Sequence, residues 1–420
     1  MFKRLLNSCF RSFAALGLAG VVTTGCLENP TTTTMPTDGL HYPMGVAIFS
    51  EANLLLVPSS NFDLRYSAGQ LHLMDLVAIQ EKIGDAASPS SIAVSDVMLD
   101  HMPIRSFASD PVILSPTDAI LGWVHRRSRG IYGAQIADDS LTCLNQGDEG
   151  CGPITEVELM AENPARPFSN GTYLWVPHLA DDQLTIFQAQ DDVKEWAHLT
   201  TIELDPLLAT VRLGTYTQST LNRPRLWLTG QQIQTNQVEA VLVWGLAPQD
   251  GQLEFEAEGT LNLTQLTGSS SINDLAWFDD GQSLAVALRN PDGLALLSST
   301  QRETNTPALQ LKALEGSCND PTRLLAFVID DENYLALTCL NDDVFRIYRG
   351  DDLTLVAVQE NDGQGPRNLS WDATNNQLWV SYFKSHSLVV YQLKHGETGA
   401  FEMALVAQVG APLSADEETE

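Results

Sequence analysis

Short apolar runs of four to eight residues recur along almost the whole chain, broken by Asp, Asn and Gly, and no long apolar pattern at helical spacing follows Val22. Runs of that length between turn formers predict strands. The repeating unit is a short apolar strand, an acidic or Asn/Gly turn, a second apolar strand, a polar loop and a third strand. Its clearest copy spans Pro366 to Leu393, with Leu369-Ser370-Trp371, the turn Asp372 to Asn376, then Gln377 to Tyr382, then Ser387 to Tyr391. Pro321 to Tyr348, Ile272 to Leu297 and Pro43 to Leu76 repeat the scheme.

Three fainter copies carry Trp123, Trp175 and Trp227 in the second-strand position, at equal intervals. Runs such as Ala308 to Leu314, Leu353 to Gln359 and Phe401 to Val409 supply fourth strands. Second strands near Leu55, Trp123, Trp175, Trp227, Leu284, Leu335 and Trp379 predict an all-β fold, a seven-bladed β-propeller of four-stranded antiparallel blades over residues 39–410. The phrase Pro-x-x-Leu/Val, a turn, then an apolar strand such as Tyr334-Leu335-Ala336-Leu337 resembles the YVTN-type β-propeller repeats. That resemblance speaks to fold far more than to function.

The start of the chain is a separate signal. Lys3 and Arg4 precede an apolar stretch, Phe13 to Val22, too short to span a bilayer, and Thr23-Thr24-Gly25-Cys26 follows. The Gly-Cys ending resembles the lipobox of bacterial lipoproteins, although Thr23 stands where that family prefers Leu. The resemblance implies a signal peptide over 1–25, lipidation of Cys26, a tether over 26–38 and attachment to the membrane through the lipid. In a Gram-negative host, Leu27 after the lipid site points to the outer membrane. Residues 411–420 read as an acidic tail.

A formal charge of −30 argues against nucleic acid as a partner and against attraction to anionic lipid. Four cysteines remain beyond Cys9 and Cys26, and proximity favours the disulfides Cys143–Cys151 and Cys318–Cys339. In a propeller both members of each pair fall together: Cys318 and Cys339 on the face of the interblade connections, Cys143 and Cys151 between third and fourth strands of the second blade.

No chemical motif of an enzyme is present: C-x-x-C-H, G-x-S-x-G and H-E-x-x-H are all absent, and no catalytic residue, metal or cofactor is expected. The acidic turns Asp279-Asp280-Gly281 and Asp330-Asp331-Glu332 lack calcium-loop spacing and read as hairpin turns. His125, His178 and His386 each end or follow a second strand, which leaves open a metal at the ring's mouth or three ordinary loop residues.

Charge placement is more informative. Propeller topology sends loops between second and third strands, and the connections between blades, to one face. Arg126, Arg129 and Arg289 fall in such loops, and Arg166, Arg323 and Arg367 at such connections. Guanidinium groups around a concave mouth suit carboxylates and phosphates. Asp181, Asp182, Asp342 and Asp343 share those loops and offer internal pairing instead. The loop Asn61 to Tyr66 adds Phe62, Arg65 and Tyr66, either exposed for a partner or folded over the channel. The expectation is a lipid-anchored, exported module for protein binding or scaffolding at the cell envelope, with a protein partner or an anionic ligand at the channel mouth. The alternative is a propeller enzyme of the sugar-lactone hydrolase or quinoprotein dehydrogenase type.

Overall fold

A computed structural model describes residues 33–84, 88–125, 130–147, 150–154, 164–179, 182–190, 195–204, 213–217, 225–232, 238–249, 252–278, 283–300, 308–360 and 362–410. The expected signal, Cys26 and the tail 411–420 lie outside these residues, as do Arg126, Arg129, Asp181 and the turn 279–282.

The chain folds as an all-β propeller. In chain order, sheet I runs from Ala47–Phe49 to Met98–Ile104, II from Val112–Ser115 to Ser140–Cys143, III from Phe168–Ser169 to Trp196–Glu203 and IV from Leu213–Thr217 to Gln252–Asn262. Sheets V and VI run from Ser271–Phe278 to Ala308–Gly316 and from Pro321–Ile329 to Leu355–Glu360. These six are four-stranded and antiparallel. Sheet VII, from Pro366–Asp372 to Phe401–Val409, has five strands, because Ser90–Ile92 joins its outer edge in parallel. The expected set of seven uniform four-stranded blades is therefore corrected to six, with one five-stranded sheet beside them.

The source of the fifth strand is an excursion within sheet I. After its third strand, Gly69–Asp75, the chain forms a helix, α1 (Leu76–Ile83), then Ser90–Ile92, before returning as Met98–Ile104. Asp75 caps α1 by accepting from the Val77 and Ala78 amides. Ile79, Ile83, Ile92 and Val94 from this excursion pack with Trp379, Val390, Ala407 and Val409 of sheet VII. Gln80 and Gln377 exchange amide hydrogen bonds at 2.6 and 2.9 Å. The N-terminal sheet thus latches the C-terminal one, in addition to contact between their first strands.

Each adjacent pair of sheets encloses its own apolar layer. Leu335 and Leu337 pack on sheet V, whereas Tyr334 and Ala336, which alternate with them, pack on sheet VII. Alternate residues of one strand thus serve two interfaces, which is why the second strands read as continuous apolar runs. The equal spacing of the tryptophans hides a shift of register. Trp175 faces the following sheet, but Trp123 packs with Leu56, Leu71 and Leu73 of the preceding one. A one-residue slip reverses the face of a strand residue.

Both disulfides form as expected, with Cα–Cα distances of 5.1 Å for Cys143–Cys151 and 5.8 Å for Cys318–Cys339. Cys143 ends the fourth strand of sheet II, and Cys151 lies in the two-stranded ribbon beyond it, rather than before that strand. Asp330 and Asp331, with φ of 49° and 66°, form the two-residue hairpin turn. The packed chain begins ahead of the expected boundary at residue 39. Met35 is buried, its carbonyl accepts from Gln70 at 3.2 Å, and the Thr33 carbonyl accepts from the Ser67 amide at 2.9 Å. Among the described residues no helix is long and apolar enough to cross a membrane.

Candidate functional site

Among the described residues, the segments that enter sheets I, II, III, V, VI and VII are each fixed to the end of that sheet's second strand. Bridges pair Pro43 with Ser59, Ala108 with His125, and Pro164 with His178. In sheets V, VI and VII the same join carries a β-bulge. Pairing passes from Ile272 to Asp274, from Pro321 to Arg323 and from Pro366 to Asn368, leaving Asn273, Thr322 and Arg367 as extra residues at equivalent positions. A bulge bends the strand and re-aims the extra side chain. All three extra residues line one cavity of about 350 Å³.

Four arginines from different sheets or their connections share that cavity: Arg166, Arg289, Arg323 and Arg367. All four were singled out in the sequence and are thus brought together, while Arg126 and Arg129 lie outside the described residues. Behind the cavity lies a buried charge network. Arg323 donates to one Asp110 oxygen through Nε at 3.0 Å and Nη2 at 2.5 Å. Arg166 Nη1 lies 3.3 Å from both Asp274 oxygens, and its Nε lies 3.7 Å from Asp110. Asp274 also accepts from the Leu324 amide at 2.8 Å.

Burial works to raise the Asp110 pKa, but the charges of Arg323, Arg166 and Arg367 outweigh it and hold the carboxyl below its usual range. Burial likewise opposes the charge on Arg323, and Asp110 and Asp274 more than restore it. The network therefore keeps the Arg323 guanidinium charged. Arg166 and Arg289 remain 40% and 46% exposed, and Arg289 pairs with Asp320 at 3.4 Å.

Internal pairing is thus present, but its acids differ from those expected. Asp342 accepts from the Asn319 amide at 2.8 Å, and Asp343 accepts from the Gly365 amide at 2.7 Å. Both shape loops. The partners that matter, Asp110 and Asp274, sit on the entry segment of sheet II and in the first strand of sheet V, where neither their spacing nor a motif marks them. Three equivalent bulges are the other missed feature; the Pro that opens the first strand in sheets VI and VII was the visible trace.

The three histidines do not converge. His125 Nε2 accepts from Trp123 Nε1 at 3.0 Å, His178 Nε2 bonds Thr185 at 2.9 Å, and His386 Nδ1 accepts from the Tyr42 amide at 3.0 Å. Burial pushes the His125 and His386 pKa values down to about 3 and about 4. Among the described residues no cluster of His, Cys, Asp and Glu is arranged to hold a metal.

The Asn61–Tyr66 loop combines both expected outcomes. Tyr66 packs against His41 with ring centroids 5.1 Å apart, and Phe62 stays half exposed beside Phe107 and Phe383.

No family model and no curated protein sequence matches the chain. Solved structures do share its fold. A periplasmic gluconolactonase from Pseudomonas aeruginosa superposes with a TM-score of 0.58 at 13% identity, over 86% of this chain and 98% of its own. Hydrazine synthase from Kuenenia stuttgartiensis gives 0.58 at 11% identity, over 89% and 99%. A β-propeller domain from Myceliophteria thermophila gives 0.55 at 12%, over 86% and 98%. At such identities the likeness is one of fold alone.

Proposed function

We propose that this chain is an exported, lipid-tethered binding propeller, with the five-stranded sheet serving as a seventh blade and the arginine-lined mouth receiving carboxylate or phosphate groups. The observation that carries the reading is the gathering of Arg166, Arg289, Arg323 and Arg367 around one cavity in a chain of formal charge −30. A cavity of about 350 Å³ falls at the small end of the roughly 300–1,000 Å³ range of ligand sites. Asp110 and Asp274 hold Arg323 and Arg166 in place before any ligand arrives, so little ordering accompanies binding. Titrating decaglutamate into the protein, with decalysine as control, tests this. Binding of decaglutamate that weakens with salt and in Arg289→Ala supports the reading; equal behaviour of the two peptides refutes it.

The second reading is an enzyme acting on a sugar lactone, suggested by the gluconolactonase neighbour. The cavity disfavours it. Among the described residues no histidine lines it, and its buried carboxylate, Asp110, is held ionised by Arg323 and is a weak base. Tethering rests on the sequence alone. Fractionation of wild type and Cys26→Ala checks it, since the variant should leave the membrane fraction.

A further inference from the structure

Next to the cavity lies an aromatic patch. Phe62 packs edge-on against Phe107 and Phe383, with ring centroids 5.8 and 5.2 Å away. Tyr42 lies 4.9 Å from Phe383, and the Arg367 guanidinium sits 5.8 Å from the same ring. Arg367 and Ala108, the residue after Phe107, both line the cavity, so patch and cavity are continuous. Two apolar side chains stay open to solvent here, Phe62 at 48% and Leu64 at 41%.

The backbone around them is held in an unusual state. Apart from Asn, Asp, Ala and Gly, the described residues with positive φ are Tyr42, Leu64, Phe107, Leu353 and His386. All but Leu353 surround this patch, with φ of 50°, 60°, 62° and 55°. A left-handed conformation is disfavoured at such residues, because Cβ crowds the following carbonyl oxygen. Asn61, fully buried, holds the loop open against that crowding: its side chain donates to the Tyr66 carbonyl and Ser106 Oγ and accepts from the Tyr66 amide. Strain concentrated at one surface, beside exposed apolar groups, marks a surface kept for a partner.

We infer that patch and cavity together dock an extended acidic segment of a partner protein carrying a bulky apolar side chain. Its carboxylates enter among the arginines, and its apolar group covers Phe62 and Leu64. Charge complementarity sets the class, since a basic segment would meet like charges at the cavity. The inference rests on the reading of the mouth as an anion site and adds an apolar anchor to it.

The test compares two fluorescein-labelled probes by anisotropy: decaglutamate, and a glutamate decapeptide with two central phenylalanines. Wild type should bind the phenylalanine probe about tenfold more tightly, the scale of one well-packed anchor. A Phe62→Ala/Leu64→Ala variant should lose that tenfold and keep its affinity for decaglutamate. If decaglutamate binds and the phenylalanines add nothing, or the double variant leaves the ratio unchanged, the inference is overturned and the anion site stands. If neither probe responds to Arg289→Ala, the anion site itself fails and the inference with it. If tight binding requires removal of residues 411–420, the occupant is this chain's own acidic segment, and the partner assignment is overturned.

Discussion

Arg323 grips a single oxygen of Asp110 with two nitrogens, across 213 residues of sequence. Asp110 is buried and the Arg323 side chain is only 12% exposed, and the pair joins the entry segment of sheet II to the first strand of sheet VI. Arg323→Ala would strip the buried Asp110 carboxylate of both hydrogen bonds and leave it the longer 3.7 Å approach of Arg166, an effect of up to about 3–5 kcal/mol. Thermal unfolding should show a large loss of stability in this variant and little change in Arg289→Ala, whose side chain is half exposed. Pairing Arg323→Met with Asp110→Leu should recover much of the loss, because a buried ion pair replaced by apolar groups is often neutral.

The latch between sheets I and VII predicts where the ring is most vulnerable. Ile92 is 2% exposed among residues of both sheets. Ile92→Ala should lower stability by about 2–5 kcal/mol through the cavity it leaves. Val77→Ala, on the exposed side of α1, should change stability by less than about 0.5 kcal/mol. Denaturant unfolding of the two variants checks the contrast.

His72 gives a pH dependence of definite sign. It is fully buried in the third strand of sheet I, and burial, aided by His101 and His41, lowers its pKa from 6.5 to about 3. The unfolded chain takes a proton below about pH 6.5 and the folded chain does not, so stability falls as pH drops from there towards pH 3. Each buried histidine of this kind contributes up to about 1.4 kcal/mol per pH unit. His72→Leu should leave stability near neutrality almost unchanged and flatten the decline between pH 6 and 4, measured as melting temperature against pH.

Local patterns predicted the strands well because every second strand is buried on both faces and therefore reads as a continuous apolar run. Leu335 and Trp379 lie in such strands, and both fall where the repeat puts them. The fifth strand of sheet VII was illegible. Ser90–Ile92 is short, has one buried residue and is defined by a partner more than 300 residues away, which no local pattern records. The arginines were legible as a group because topology alone sends their loops to one face. Their true partners were not, since Asp110 and Asp274 are isolated acids whose meaning depends on the ring closing around them. Register escaped for the same reason at Trp123, where equal spacing concealed a reversed face.

The most direct measurement is chemical protection of the mouth. Phenylglyoxal modifies accessible guanidinium groups, and peptide mass spectrometry reports each site with and without bound decaglutamate. Decaglutamate should protect Arg166 and Arg289, which line the cavity and are 40% and 46% exposed, and leave exposed Arg349, at the end of the third strand of sheet VI, as reactive as before. Unchanged modification of Arg166 and Arg289, or equal protection of Arg349, would contradict an anion site at the mouth of the ring.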